Sequence, residues 1–346
     1  MRYIQQNLKE FEICGILKWH QKGYTGKGIK IAEIEGANCT LSIFDGKLQD
    51  PLNCGIGEGI NGHGQKVLDI MHQVAPDADL YILPYELQSG NGYAKGRFID
   101  ETIPYAEQNR IDIIGASLGG TDNDVLNKRI LEAQKNGIIF VTSAGNIGIR
   151  GLTGFAKSNV WIAVGACGYS DRMKEIFLKS YSSRGEQLDF CMFSGLYVYN
   201  AKDTTLKTVM QMEGTSFSSP MMIGMIALVQ QFFLEKTGRK LTQPEMYKFI
   251  CDHVKDLGKL GRDVEYGYGL FVLPNPESIN INKYIGGDNM FADIDKVSAW
   301  AKNSVIKVET LGLMNGDNLG NFNPKNPITR EEFAVVIDRL LQYLNK

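Results

Sequence analysis

Between residues 29 and 166 the chain alternates short β-branched apolar runs with longer helical patterns, and this narrows the fold more than anything else in it. A turn-rich approach, Gly23-Tyr-Thr-Gly-Lys-Gly28, leads into a strand over 29–35 that ends at Gly36. Asn61-Gly-His63-Gly64 opens a helix over 65–73, and Val74-Ala-Pro-Asp-Ala-Asp79 turns into a strand over 80–84. A helix over about 96–109 precedes a strand over 111–116, broken by Ser117-Leu118-Gly119-Gly120. A helix over 122–136 then leads to a strand over 138–142, ending in Ala144-Gly145-Asn146-Ile147-Gly148, and 160–166 reads as one more strand. Strands this apolar need cover on both faces, which a mainly parallel sheet between helices supplies, so the fold class is α/β. Such sheets bind ligands beyond the carboxyl ends of their strands. Glu35, Ser117 and Asn146 all fall at such ends.

Further on, Glu213-Gly214-Thr215-Ser216-Phe217-Ser218-Ser219-Pro220 runs straight into an apolar stretch, 221–233, whose one breaker is Gly224. The stretch reads as a buried helix with Ser216 at its N-terminus, where free N–H groups and the helix dipole favour negative charge. Pro220 is expected in the first turn, where its missing N–H costs nothing. Alone, such a serine is an ordinary helix cap. It becomes a nucleophile only with a base beside it.

The 346 residues suffice for one large domain and a small one. A net charge of −2 without a polybasic run gives no reason to expect nucleic acid or a membrane surface as partner. The first ten residues lack the apolar core of a signal peptide, and no apolar run reads as long enough to span a bilayer, so the expected location is cytoplasmic. Six cysteines, Cys14, Cys39, Cys54, Cys167, Cys191 and Cys251, are scattered without CxxC spacing. They read as reduced thiols, with no zinc site.

Taken in order, these blocks resemble the subtilisin-like serine peptidases (subtilases), from about Trp19 to Leu273. Thr25-Gly-Lys-Gly-Ile-Lys-Ile-Ala32 is similar to the family's approach to its acidic residue, and Asn61-Gly-His63-Gly64 to the histidine motif with the Val74-Ala-Pro-Asp-Ala78 turn after it. Ser117-Leu-Gly-Gly120 and Ser143-Ala-Gly-Asn146 are similar to the two substrate-pocket segments, Tyr181-Ser-Ser-Arg-Gly185 to another family turn, and Gly214-Thr-Ser216-Phe-Ser-Ser-Pro220 to the serine motif. The order acid, histidine, serine is also that of the family. The resemblance implies Ser216 as nucleophile, His63 as base and Asn146 as oxyanion-hole amide. Ser117, Leu118, Gly119, Ala144 and Gly145 would bind and wall an extended protein or peptide substrate. Ile147 suggests apolar side chains in its main pocket.

One position departs from the pattern: Glu35 stands where the family has aspartate. Glutamate is admissible in such triads, although its extra methylene demands a shift of backbone or imidazole. Glu33, on the same side of the strand, is placed to compete for the histidine or to raise the pKa of Glu35 by like-charge repulsion. The short connection from His63 to Val74 leaves no room for the calcium loop of secreted relatives, and no cofactor is implied. No long propeptide is expected before Trp19.

Past Leu273 the composition changes, with Pro274-Asn-Pro276 and Gly286-Gly-Asp-Asn289 bracketing a linker. From about Phe291 to Leu344 the chain resembles one S-layer homology (SLH) repeat, helix–loop–helix, with Thr329 and Glu332 as a capping box on the second helix. The resemblance implies that Trp300 and Arg330 meet an anionic cell-wall glycan, which gives an address at the cell envelope. The alternatives are Trp300 in a core and Arg330 in a structural ion pair. A lone repeat also points to self-association, or to cover from the peptidase domain of its own chain, which the short linker favours. The expected organisation is a lead-in over 1–22, a peptidase domain over 23–284 and the repeat over 285–346. The competing reading of the whole is a catalytically silent subtilase fold used as a binding scaffold, with Glu35 as the mark of decay.

Overall fold

The computed structural model describes residues 3–35, 44, 46–52, 62–85, 97–200, 205–285, 291, 293–317 and 321–344. Gly36, Asn61, Gly96, Cys39, Cys54 and the linker 286–289 lie outside the described residues. The chain divides into two compact units, Met1–Ile279 and Asn280–Lys346.

The first unit opens with two short helices, α1 (Leu8–Ile13) and α2 (Ile16–Gln21). They are tied down by polar bonds that reach across the unit. Trp19 Nε1 donates to the Pro274 carbonyl at 2.6 Å, and Asn7 Nδ2 donates to Gln73 Oε1 and to the Tyr197 carbonyl, both at 2.8 Å. The sheet begins with β1 (Lys30–Ile34) and β2 (Leu48–Gln49). After α3 (His63–Val74) come β3 (Asp79–Leu83), α4 (Ile103–Gln108), β4 (Ile113–Ala116), α5 (Asp124–Lys135) and β5 (Ile139–Ser143). Then follow β6 (Ile162–Ser170), β7 (Glu175–Leu178), β8 (Phe190–Phe193), β9 (Leu196–Tyr199) and β10 (Val209–Met212). The unit closes with α6 (Thr215–Thr237), α7 (Gln243–Cys251), β11 (Val254–Lys255) and β12 (Leu270–Phe271).

The sheet order is β11-β12-β8-β6-β5-β4-β1-β3-β2. Its pairs are parallel except β11–β12 and the β6–β7 hairpin at one side. The expected α/β class with a mainly parallel sheet is what the unit adopts. The chain order reverses at β1, which lies between β3 on one side and β4 on the other. The crevice at such a reversal is where open α/β sheets place their ligands. Glu35 follows β1 directly and Ser117 follows β4 directly, so both residues flank it.

Two local departures have physical causes. The helix expected over 96–109 starts as a wider, π-type turn, Phe98–Thr102, before α4. Pro104 has no N–H to continue an ordinary ladder at that point. Likewise α6 begins at Thr215, so Pro220 sits in the second turn rather than the first. The Ser216 carbonyl therefore lacks its i+4 donor.

The helix α6 is the spine of the unit, buried over nearly its whole length and packed on α3 and on β4, β5, β6 and β8. At Gly224 the two helices come close: a Cβ there would stand 2.6 Å from Val74 Cβ on α3. The expectation that no apolar run is long enough to span a bilayer needs correction. With 23 residues α6 is long and apolar enough, but it is almost wholly buried inside the protein. It is the apolar core of a sheet protein. Gln231 on α6 accepts the backbone N–H groups of Thr25, Gly26 and Lys27, fixing the turn that feeds β1.

The second unit carries α8 (Lys302–Thr310) and α9 (Arg330–Leu344). Its small core gathers Phe291, Val297 and Val305, with Ile294, Ala301 and Phe322 packed against them. The Thr329–Glu332 capping box is formed, with Thr329 N–H donating to Glu332 Oε2 at 2.8 Å and Glu332 N–H to Thr329 Oγ1 at 3.1 Å. Phe333, Val335 and Leu341 on α9 are exposed.

Candidate active site

Strand β1 delivers Glu35 to the carboxyl end of the sheet, where its N–H donates to the Leu83 carbonyl of β3 at 3.2 Å. The first residue of α3 is His63, half-buried. Glu35 Oε2 accepts a hydrogen bond from His63 Nδ1 at 2.7 Å, which leaves Nε2 as the second ring nitrogen. The extra methylene of glutamate is thus accommodated at hydrogen-bonding distance.

Glu33 does not compete for the imidazole. Its side chain is fully buried, and its Oε1 accepts the Ser117 N–H at 2.6 Å. Burial pushes its carboxyl up to about 8, against the pull of the Ser117 bond, and the neighbouring Glu35 charge adds to the rise. At neutral pH the buried member of this glutamate pair is predominantly the neutral acid.

Ser216 is the second residue of α6 and half-buried. Its two chain neighbours are its anchors. Phe217 lies against the His63 ring, with centroids 5.6 Å apart. On the other side, Thr215 donates through its N–H (2.9 Å) and its Oγ1 (3.1 Å) to Asn146 Oδ1. Those two bonds identify the oxygen of the Asn146 amide and leave Nδ2 as its donor end, on an exposed residue. The fold therefore brings Glu35, His63, Ser216 and Asn146 to one crevice.

Ser117 is buried, Leu118 half-buried and Gly119 exposed, so this strip runs from the core to the surface beside the crevice. Ala144 and Gly145 are buried, and their N–H groups are already used, by the Val164 carbonyl at 2.9 Å and Thr215 Oγ1 at 3.1 Å. Ser183 N–H donates to the Gly145 carbonyl at 3.0 Å, and Ser183 Oγ accepts from Ile147 N–H at 3.2 Å.

Sequence reasoning missed the residues that hold the approach to Ser216. The Tyr181 hydroxyl donates to Glu213 Oε2 at 2.5 Å and accepts the Gly214 N–H at 3.0 Å, while Lys179 pairs with Glu213 at 2.7 Å. Ser194 Oγ donates to the Gly214 carbonyl at 3.0 Å. The motif Tyr181-Ser-Ser-Arg-Gly185 was a visible signal, but only the fold shows what it supports.

Comparison with known proteins gives the family. The subtilase family model (Peptidase S8) matches residues 54–269. The chain belongs to the subtilase family. A model of the S-layer homology domain matches residues 291–334. Among curated subtilases and related proteases, the minor extracellular protease Epr of Bacillus subtilis (strain 168) is 31% identical over 282 residues, 77% of this chain and 40% of that protein. The major intracellular serine protease of the same organism is 30% identical over 251 residues, 65% of this chain and 76% of that protein. Subtilisin DY of Bacillus licheniformis is 31% identical over 230 residues, 61% of this chain and 80% of that protein. Two solved structures share the subtilase fold at a TM-score of 0.61. A lanthipeptide protease is 20% identical and covers 78% of this chain and 93% of its own. The prenylagaramide maturation protease PagA is 18% identical and covers 79% and 99%.

In the SLH unit of this subtilase, Trp300 is 82% exposed in a short turn before α8, and Arg330 is the exposed first residue of α9. Among the described residues Arg330 forms no ion pair.

Proposed function

We propose that this subtilase is a serine endopeptidase working through a Ser216–His63–Glu35 triad. The observation that carries the reading is the 2.7 Å bond from His63 Nδ1 to Glu35 Oε2, because it holds the imidazole in the tautomer whose Nε2 can accept a proton. Ser216 Oγ attacks the scissile carbonyl carbon and its proton passes to His63 Nε2. The developing imidazolium is stabilised by the Glu35 carboxylate. The oxyanion accepts hydrogen bonds from Asn146 Nδ2 and from the Ser216 N–H, which lies in the first turn of α6, where helix N–H groups have no intrahelical acceptor. Collapse of the tetrahedral intermediate breaks the C–N bond, and the amine leaves with the proton from Nε2. Water then hydrolyses the acyl-enzyme with His63 again as base.

The extended protein or peptide substrate runs along Ser117-Leu118-Gly119. Because the N–H groups of Ala144 and Gly145 are occupied within the domain, these two residues wall the pocket rather than pair with the peptide through those groups. Labelling by a fluorophosphonate probe tests the reading: one equivalent reacts with the wild type and none with Ser216→Ala. A wild type that binds peptide but resists the probe is a binding scaffold and not a peptidase.

The SLH unit serves as the docking module, with exposed Trp300 stacking on sugar rings and Arg330 meeting the anionic groups of a cell-wall glycan. Sedimentation with purified cell walls tests this, with loss expected in the Trp300→Ala, Arg330→Ala double variant. Retention on walls by the double variant, or a concentration-dependent oligomer with no wall binding, assigns the unit to self-association.

A further inference from the structure

Glu33 lies two residues before Glu35 and is put to a different use. Directly opposite it in the β1–β4 register is Gly115. A Cβ at Gly115 would stand 2.1 Å from Glu33 Oε2 and 2.5 Å from Ile223 Cδ1 on α6, so the missing side chain is what makes room for the carboxyl. From there Oε1 takes the Ser117 N–H at 2.6 Å. Ser117 Oγ in turn lies 3.0 Å from Ser219 Oγ, one helical turn beyond Ser216 on α6. One buried polar chain therefore joins the strand of the triad acid, the first residue of the substrate strip and the helix of the nucleophile.

The surroundings suit a neutral carboxyl. Glu33 Oε2 is buried with no hydrogen-bond partner. The titratable groups that act on Glu33 are Glu35 on its own strand and His63 on α3. The imidazole is already engaged by Glu35, and α6 and β3 present Ser219, Ile223 and Ile82 on their sides. A carboxylate left with one bare oxygen in such packing would be far costlier than the acid. The raised carboxyl described above agrees with this.

We propose that Glu33 is a positioning residue that holds the 117–119 strip in place for substrate, so that its loss weakens binding of extended peptides and spares the chemical step at Ser216. This rests on the peptidase reading above only for the identity of the ligand, a peptide in extended conformation. Without Glu33 the buried Ser117 N–H has no acceptor, and the strip relieves that by shifting away from the line a peptide must follow.

Binding measured by calorimetry in the Ser216→Ala protein makes the test independent of turnover. The probes are a four-residue peptide amide and an N-acetyl single-residue amide. In that background Glu33→Leu is expected to raise the tetrapeptide Kd about tenfold, the scale of one hydrogen bond, and to leave the short probe unaffected. Glu33→Gln keeps a neutral acceptor and is expected to return the tetrapeptide to within about threefold of the parent. In the protein with Ser216 intact, Glu33→Leu is expected to raise KM for a tetrapeptide substrate with kcat unchanged. If Glu33→Leu does not fold, Gly115→Ala crowds the carboxyl off Ser117 without altering Glu33, and the same selective loss is expected. Equal weakening of both probes, a fall in kcat matching the rise in KM, or no rescue by Glu33→Gln overturns the proposal. Selective weakening in a protein that no fluorophosphonate labels upholds the proposal and overturns the peptidase reading.

Discussion

Glu35 Oε2 lies 2.7 Å from His63 Nδ1, with the glutamate side chain 11% exposed and the imidazole 33% exposed. The acid is shielded, and the imidazole is partly open to solvent. Replacing the carboxylate by an amide keeps the shape but lets the imidazole take the wrong tautomer. Glu35→Gln is therefore expected to lower kcat toward the roughly 10⁴-fold loss typical of a triad acid, whereas Glu33→Gln leaves kcat near wild type. Peptide hydrolysis at pH 7 compares the two. Equal losses would mean that the register of β1 has been misassigned.

The Asn146 amide is oriented by its oxygen, not by its nitrogen. Asn146→Ala is expected to lower kcat by about 10²–10³ with KM little changed, since the donor acts on charge present only in the transition state. Thr215→Val removes the hydroxyl that bonds both Asn146 Oδ1 and Gly145 N–H. It is expected to lower kcat by about tenfold, the scale of one positioning hydrogen bond. Steady-state kinetics on one peptide separates the effects, and a pure KM change in Asn146→Ala would remove it from the oxyanion hole.

Stability should fall as pH rises from about 5 to 8. Burial raises Glu33 from 4.5 to about 8 and Asp69 from 3.8 to about 7. In that window the folded chain holds protons that the unfolded chain has released, so the stabilisation is complete below the unfolded pKa values and is lost as pH passes through the folded ones. The slope for each group approaches about 1.4 kcal/mol per pH unit. Glu33→Gln and Asp69→Asn should each flatten the curve of urea midpoint against pH. An unchanged slope in both variants would show that these carboxyls are ionised in the native state.

Helix α3 runs from His63 to Val74, and β3 begins at Asp79. That leaves only a tight turn where a calcium loop would be inserted. A chelator is expected to leave the melting temperature of the peptidase unit within about one degree, since only an ion bound to the native state adds RT ln(1 + [L]/Kd). A fall of many degrees, restored by calcium, would reveal a site the short turn does not explain.

How much of this was legible beforehand depends on the range of the forces involved. The strands were, because strands buried on both faces must be apolar throughout, and the place of Ser216 at a helix N-terminus was, because Gly214 and the long apolar run mark it locally. The place of Glu35 beside the histidine was legible from the motif, since Glu35 and not Glu33 stands at the position where the family has its acidic residue. Three things were not. The division of labour between Glu33 and Glu35 depends on Gly115 and Ser117 of β4, which only the sheet brings opposite them. The orientation of the Asn146 amide depends on Thr215, far along the chain on another element. The role of Tyr181 depends on a hydroxyl reaching Glu213 and Gly214 from a separate turn. Periodicity and propensity are local and can be read along the chain. Hydrogen bonds between distant segments come into being only when the sheet and α6 set those segments side by side, and in this subtilase those bonds decide which carboxyl serves the imidazole and which serves the strip.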